Sequence, residues 1–258
     1  MSLPQLLLVP EFTEVAWTIR PQLEAWASVA SYDPPGVGDE PLLPGVDLRL
    51  THERITQRGL DELDRQGWDR VVVVADGWGI ATAARIAHAR PEAVVAMALG
   101  HAQVSFRRHG DRPTMSPGVW EAMTQLLRQD HEAFIRHGIA QVTAGSISEE
   151  VAERMLKRFP RELLVDGWER ITDEDDRFGE LLTEVECPLL LAKHEGCLMS
   201  TDEGFEDAVA ALPQARTISV PEAPEASPAF AQALRDFGDE VWETDPASAS
   251  SNDDDERA

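Results

Sequence analysis

Residues 71–87 read VVVVADGWGIATAARIA. Four consecutive valines, with no polar residue between them, make a strand that is buried on both faces. Such a strand belongs inside a parallel sheet covered by helices on either side. Gly77 and Gly79 then turn the chain, and the small residues that follow predict a helix packed back against the strand. This stretch commits the chain around it to an α/β architecture.

The same alternation recurs along the sequence. Short apolar runs at 5–9, 29–32, 71–74, 93–99, 189–192 and 217–220 predict six strands. Helical periodicity fills 20–29, 51–66, 80–89, 202–212 and 227–241, so the expected sheet is mostly parallel with helices on both faces. The segment from Val104 to Val185 breaks the alternation. It is helical throughout, with Trp120, Met123, Leu126, Leu127 and Phe134 on one face. It reads as a helical cap inserted after the fourth strand, over the carboxyl edge of the sheet. The expected division is a core of 1–103 and 186–242, a cap of 104–185, and a disordered acidic tail of 243–258 ending in DDDERA.

Composition narrows the partners. The chain has 258 residues, enough for one large domain, and its net charge is −24 from 23 basic against 47 acidic residues. Only Lys157 and Lys193 are lysines. Phosphate recognition needs a basic patch, so nucleic acid and anionic membrane are excluded as expected partners. There is no apolar run of about 18 residues and no basic leader ahead of the first strand, which points to the cytoplasm. Cys187 and Cys197 flank the fifth strand, which at ~3.3 Å per residue holds them roughly 20 Å apart. A disulfide needs Cα atoms within ~7 Å, so two unpaired thiols are expected. No phosphate loop or dinucleotide fingerprint occurs, so no cofactor is expected. His88, His131 and His137 lie on predicted helices at no metal-binding spacing, and no metal is expected there. The acid runs at 173–176 and 253–256 read as solvated faces without calcium-loop spacing. Nothing indicates a homo-oligomer.

Four stretches together resemble the α/β-hydrolase superfamily, and its cap-bearing branches such as epoxide hydrolases and haloalkane dehalogenases in particular. LLLVPEFTEVAWTIRPQLEAW stands where that family has its oxyanion loop. YDPPGVGDE matches a D-x-x-G-x-G-x-S loop, with Glu40 in place of the serine. VVVVADGWGIATAARIAHARPEAVVAMAL matches the nucleophile elbow, its helix and the next strand. CPLLLAKHEG, followed by ALPQARTISVPEAPE and SPAFAQALRDF, matches the last two strands and the final helix. The resemblance covers residues 3 to about 242, starts at the family's third strand, and implies the α/β-hydrolase fold with its carboxyl-edge site.

The same resemblance locates the catalytic positions, and each carries an unexpected residue. Small residues two before and two after the nucleophile are Ala75 and Gly79, which puts Gly77 where the nucleophile belongs. Asp76 as nucleophile would set the bulky Trp78 at a tight position, so Asp76 reads instead as a solvated or capping residue at the helix start. Cys197 falls at the acid position, with Glu195 two residues short of it. Glu225 falls at the histidine position, and no histidine follows His194. Pro10 replaces a residue of the oxyanion loop and has no N–H, leaving Glu11 or Phe12 as the donor. Gly77 leaves a floor of main-chain N–H groups at a helix N-terminus. Around it the reading places Glu11, Phe12, Asp76, Trp78, His101 and Glu225, with Trp120 above. His101 itself reads as a loop histidine at the surface.

With nucleophile, acid and base all replaced, the sequence reading is a non-catalytic hydrolase-fold protein that binds a small molecule or a partner in the pocket between cap and core. The alternatives are an enzyme using carboxylate acid–base chemistry of lyase, hydration or isomerase type, and an ordinary hydrolase with an unrecognised triad. Carboxylates converging at the pocket floor with perturbed pKa values would favour the acid–base enzyme, and an imidazole poised against a hydroxyl, thiol or carboxylate at the bend would rule out the inert reading.

Overall fold

The computed structural model describes residues 3–38, 50–105, 116–142, 147–174 and 178–244. Six strands build one sheet: β1 (Gln5–Val9), β2 (Ser28–Ser31), β3 (Val71–Asp76), β4 (Val94–Gly100), β5 (Leu189–His194) and β6 (Arg216–Val220). Their order is β2-β1-β3-β4-β5-β6 and every pairing is parallel. The period of two in a strand sorts the side chains onto two faces. Leu7, Val9, Val73, Ala75, Leu99 and Leu191 enter one apolar layer. Leu6, Leu8, Val72, Val74, Ala98, Leu190 and Ala192 enter the other, which the C-terminal helix Pro228–Thr244 closes with Phe230, Leu234 and Phe237.

Three strands outrun their apolar runs. β3 continues through Ala75 to Asp76, β4 to Gly100 and β5 to His194. Hydrophobic pattern stops at the first polar residue, whereas the hydrogen-bonded ladder goes on, as the pairing of Asp76 with Gly100 and His194 with Val220 shows. The buried polar ends of the strands are therefore where the site begins. The first helix is shorter than its pattern. α1 covers Arg20–Glu24, and residues after it turn into β2. Helix α2 (His52–Gln66) is capped by the Thr51 hydroxyl and stopped by Gly67 in left-handed conformation. Helix α3 (Gly79–Ala89) follows β3 directly and is buried along most of its length by its small side chains.

Between β4 and β5 the described chain is helical: Pro117–Gln129, a continuous run over 131–142 with a π-helical turn at Phe134–Gly138, then Glu149–Arg158, Arg161–Glu174 and Phe178–Glu184. Their apolar side chains, among them Met123, Phe134, Val151, Met155, Phe159 and Trp168, join the same layer as one face of the sheet. The sequence reading started the acidic tail at 243, but the last helix runs on to Thr244, and the acid run beyond it lies outside the described residues. Glu40 and the side chains of 173–176 also lie outside them. No described helix is long and apolar enough to cross a membrane.

Candidate functional site

The connection leaving β1 runs to β2 on one side and the connection leaving β3 runs to β4 on the other, so the loops after these two paired strands part. Open α/β sheets bind ligands at such a switch point. Glu11 stands just after β1 and Gly77 just after β3. His101 follows β4, His194 ends β5, Cys197 lies on the turn after it, and Glu225 is in the loop after β6. Five strand ends thus converge on one place.

Gly77 occupies the bend with φ +46°, a conformation that glycine adopts without steric cost. The space a side chain would take there is not empty. A Cβ on Gly77 would overlap Glu11 Oε1 and lie 2.8 Å from the Glu11 carboxyl carbon. The Glu11 carboxyl accepts the Trp78 N–H at 3.4 Å, which is the main-chain donor at the start of α3. The expectation of bare main chain at the bend is therefore corrected: the loop after β1 fills it with a carboxyl group.

Asp76 is corrected as well. It is not solvated but 2 % exposed, as the last residue of β3. His101 donates from Nδ1 to Asp76 Oδ1 at 2.8 Å. Nor is His101 a surface residue; it is 4 % exposed and is the only described non-glycine residue with positive φ, also +46°. A histidine held in that backbone region is strained, and such strain gathers at functional sites. Gly100 before it has a steric task, because a Cβ there would overlap Asp76 Oδ1 and come within 2.6 Å of Pro224. An imidazole set against a carboxylate at the bend removes the ground for an inert site.

Behind this pair, His101 Nε2 meets His194 Nδ1 at 2.9 Å. The Cys197 Sγ lies within 4.8 Å of a ring nitrogen of each histidine. Burial alone would raise its pKa, but the two imidazoles and the His101 charge outweigh burial and bring it down to about 6. Cys187, by contrast, is pushed up to about 12 by burial. Neither cysteine is in a disulfide, as expected. Glu195 is not part of the site; its carboxylate accepts from the Ser219 hydroxyl at 3.0 Å.

The carboxyl groups have diverging environments. Burial is the largest influence on all of them, and for Asp76 it is outweighed by His101, so Asp76 stays below its usual range. Glu225 meets the opposite balance. Burial and the neighbouring Asp76 carboxylate push it well above the usual range. Two adjacent carboxyls cannot both ionise cheaply, so the pair holds one proton. Glu11 is pushed up to about 8 by burial first and by Asp76 second.

A cavity of about 200 Å³ opens over this floor. Glu11 and Glu225 line it at the bottom, Phe12 and Ala16 at the side, and Ile139, Val151 and Met155 of the helices between β4 and β5 above. Of the other residues placed around the pocket by sequence, Trp78 is 4 % exposed and is packed between Phe12 and Trp168, with ring centroids 5.1 and 4.8 Å away. Trp120 stacks on Trp168 at 4.4 Å. Neither lines the cavity. His194 was missed altogether, although the alternation in LLLAKH places it on the same face as Leu190 and Ala192.

No family model matches the chain, and no curated protein does. Solved structures do. A hydrolase from Oleispira antarctica superposes with a TM-score of 0.78 at 14% identity, over 93% of this chain and 92% of that one. A thermophilic esterase from Thermogutta terrifontis gives 0.69 at 22% identity, over 93% and 91%. An enol-lactonase from Burkholderia xenovorans gives 0.70 at 16% identity, over 94% and 92%. The chain has the α/β-hydrolase fold.

Proposed function

We propose that this chain is a hydrolase-fold enzyme in which two glutamates perform acid–base catalysis with water as nucleophile. One observation carries the reading: the Glu11 and Glu225 carboxyls face one cavity at the carboxyl edge of the sheet, and burial raises the proton affinity of both. Carboxyls tuned upward in this way are the groups that acid–base catalysis near neutral pH uses. Glu11, titrating near 8, is the base that takes a proton from water. Glu225, protonated against Asp76, is the acid that gives its proton to the leaving or ring oxygen. Asp76, pinned by His101, supplies the negative charge that keeps Glu225 protonated.

The substrate class that suits this floor is a small uncharged ester, lactone or epoxide with an apolar side for Phe12, Val151 and Met155. An anionic substrate would meet three carboxyl groups. The names of the structural neighbours, which include an esterase and an enol-lactonase, support the hydrolytic class. A thiol triad of Cys197, His101 and Asp76 is the wrong reading for this cavity, because Cys197 does not line it.

The test is turnover of p-nitrophenyl acetate, dihydrocoumarin and styrene oxide by the wild type, Glu11→Gln and Glu225→Gln. The expected result is turnover of at least one by the wild type and a loss of 10²–10⁴-fold in each variant, the usual worth of an acid or base. No turnover across the panel, or activity surviving both substitutions, contradicts the proposal.

A further inference from the structure

We propose that His101, His194 and Cys197 form a buried three-ligand site for a thiophilic divalent cation of the zinc class. The three donor atoms all lie within 4.8 Å of one another, and all three residues are buried. His101 Nε2 and His194 Nδ1 point at each other across 2.9 Å, with room for one proton between them. A cation replaces that proton. Zn–N bonds of ~2.0–2.1 Å in a tetrahedral site set two nitrogens roughly 3.3 Å apart, so the rings need separate by only a few tenths of an ångström.

Local structure supports the assignment. His194 and Cys197 are separated by two residues, the spacing that lets one tight turn present two ligands to one ion. The turn contains Gly196 at φ +76°, which a side chain would oppose. The third ligand comes from the neighbouring strand end, so the ion would tie β4 to β5. His101 already has the partner that metal-bound histidines need: Asp76 accepts from Nδ1 at 2.8 Å, which fixes the tautomer and leaves Nε2 as the ligand. Two imidazoles and one thiolate select zinc or cobalt over magnesium and calcium, which prefer oxygen.

The reading goes beyond the hydrolytic proposal and is measured by metal binding, not by turnover. The full-length protein, dialysed against chelator, is titrated with Co²⁺. The expected result is about one Co²⁺ per chain, with intense visible bands of tetrahedral cobalt and a near-ultraviolet thiolate-to-cobalt band, both displaced by Zn²⁺. Cys197→Ser abolishes the thiolate band and Cys187→Ser keeps it. Wild-type protein gives a reading that does not depend on a folded variant: Zn²⁺ slows alkylation of Cys197, followed by peptide mass with Cys187 as internal reference. A pale octahedral spectrum with no thiolate band would mean binding by surface carboxylates and would overturn the proposal. So would alkylation of Cys197 at the same rate with and without Zn²⁺.

Discussion

A carboxyl group that keeps its proton to about pH 8 inside a folded chain weakens that fold once the proton leaves. Glu11 has a folded pKa of about 8 against an ordinary value of 4.5, because burial and Asp76 both oppose its charge. Between those values the native state binds more protons than the unfolded state. The stability linked to Glu11 is therefore complete below the ordinary value and is lost as pH rises through about 8. Glu11→Gln is neutral at every pH. The variant should melt close to the wild type at pH ~5 and clearly above it at pH ~9, a difference of order a few kcal/mol. Equal differences at both pH values would show that Glu11 ionises freely. The same group sets the rate. Hydrolysis should rise with pH through about 8 as Glu11 becomes a base. A rate already flat across that range would take the base role away from Glu11. These carboxyls were named from the sequence as pocket residues, but their environments were not legible there. Charge, burial and the contact with Asp76 arise only when the strand ends meet.

The elements explain why a missing nucleophile is not a missing site. β3, its bend and α3 keep the geometry of an elbow, and the loop after β1 supplies the carboxyl that fills it. A serine placed at the bend would therefore not make a working elbow. Gly77→Ser would drive a side chain into Glu11 Oε1 and hold a non-glycine residue at φ +46°, costing roughly 1–3 kcal/mol for the backbone alone. The variant should melt lower, lose turnover and remain unlabelled by a serine-directed phosphonate; efficient labelling at residue 77 would show an intact elbow waiting for its nucleophile. Gly100→Ala tests the neighbouring strand. Its methyl would overlap Asp76 Oδ1, and it should depress turnover without touching the cavity. Strands and helices were legible because their apolar periods are clean, as in VVVV at 71–74 and LLLA at 189–192. Their ends were not. Asp76 and His194 extend their strands as buried polar residues, and a reading by hydrophobicity drops them just where chemistry starts. His101 carried no periodic signal at all, because its position rests on a left-handed backbone and a partner 25 residues earlier in the chain.

At the scale of the whole molecule, the helices between β4 and β5 share one apolar layer with the sheet. Trp168 is 1 % exposed and is the hub, with Trp78 on one side, Trp120 stacked on another and Phe134 edge-on at 5.2 Å. Trp168→Ala should cost about 3–5 kcal/mol, and denaturant should unfold the wild-type chain in one transition. Two separated transitions would show that the helices between β4 and β5 fold as an independent unit. The same packing holds Val151 and Met155 over the two glutamates, so the cavity depends on this layer. The most direct measurement of the account is a single turnover in H₂¹⁸O with enzyme in excess over a substrate it hydrolyses. The account predicts ¹⁸O in the product after the first turnover and none in the peptide carrying Glu11. Label in that peptide would mean that Glu11 itself attacks the substrate, and would contradict water as the nucleophile.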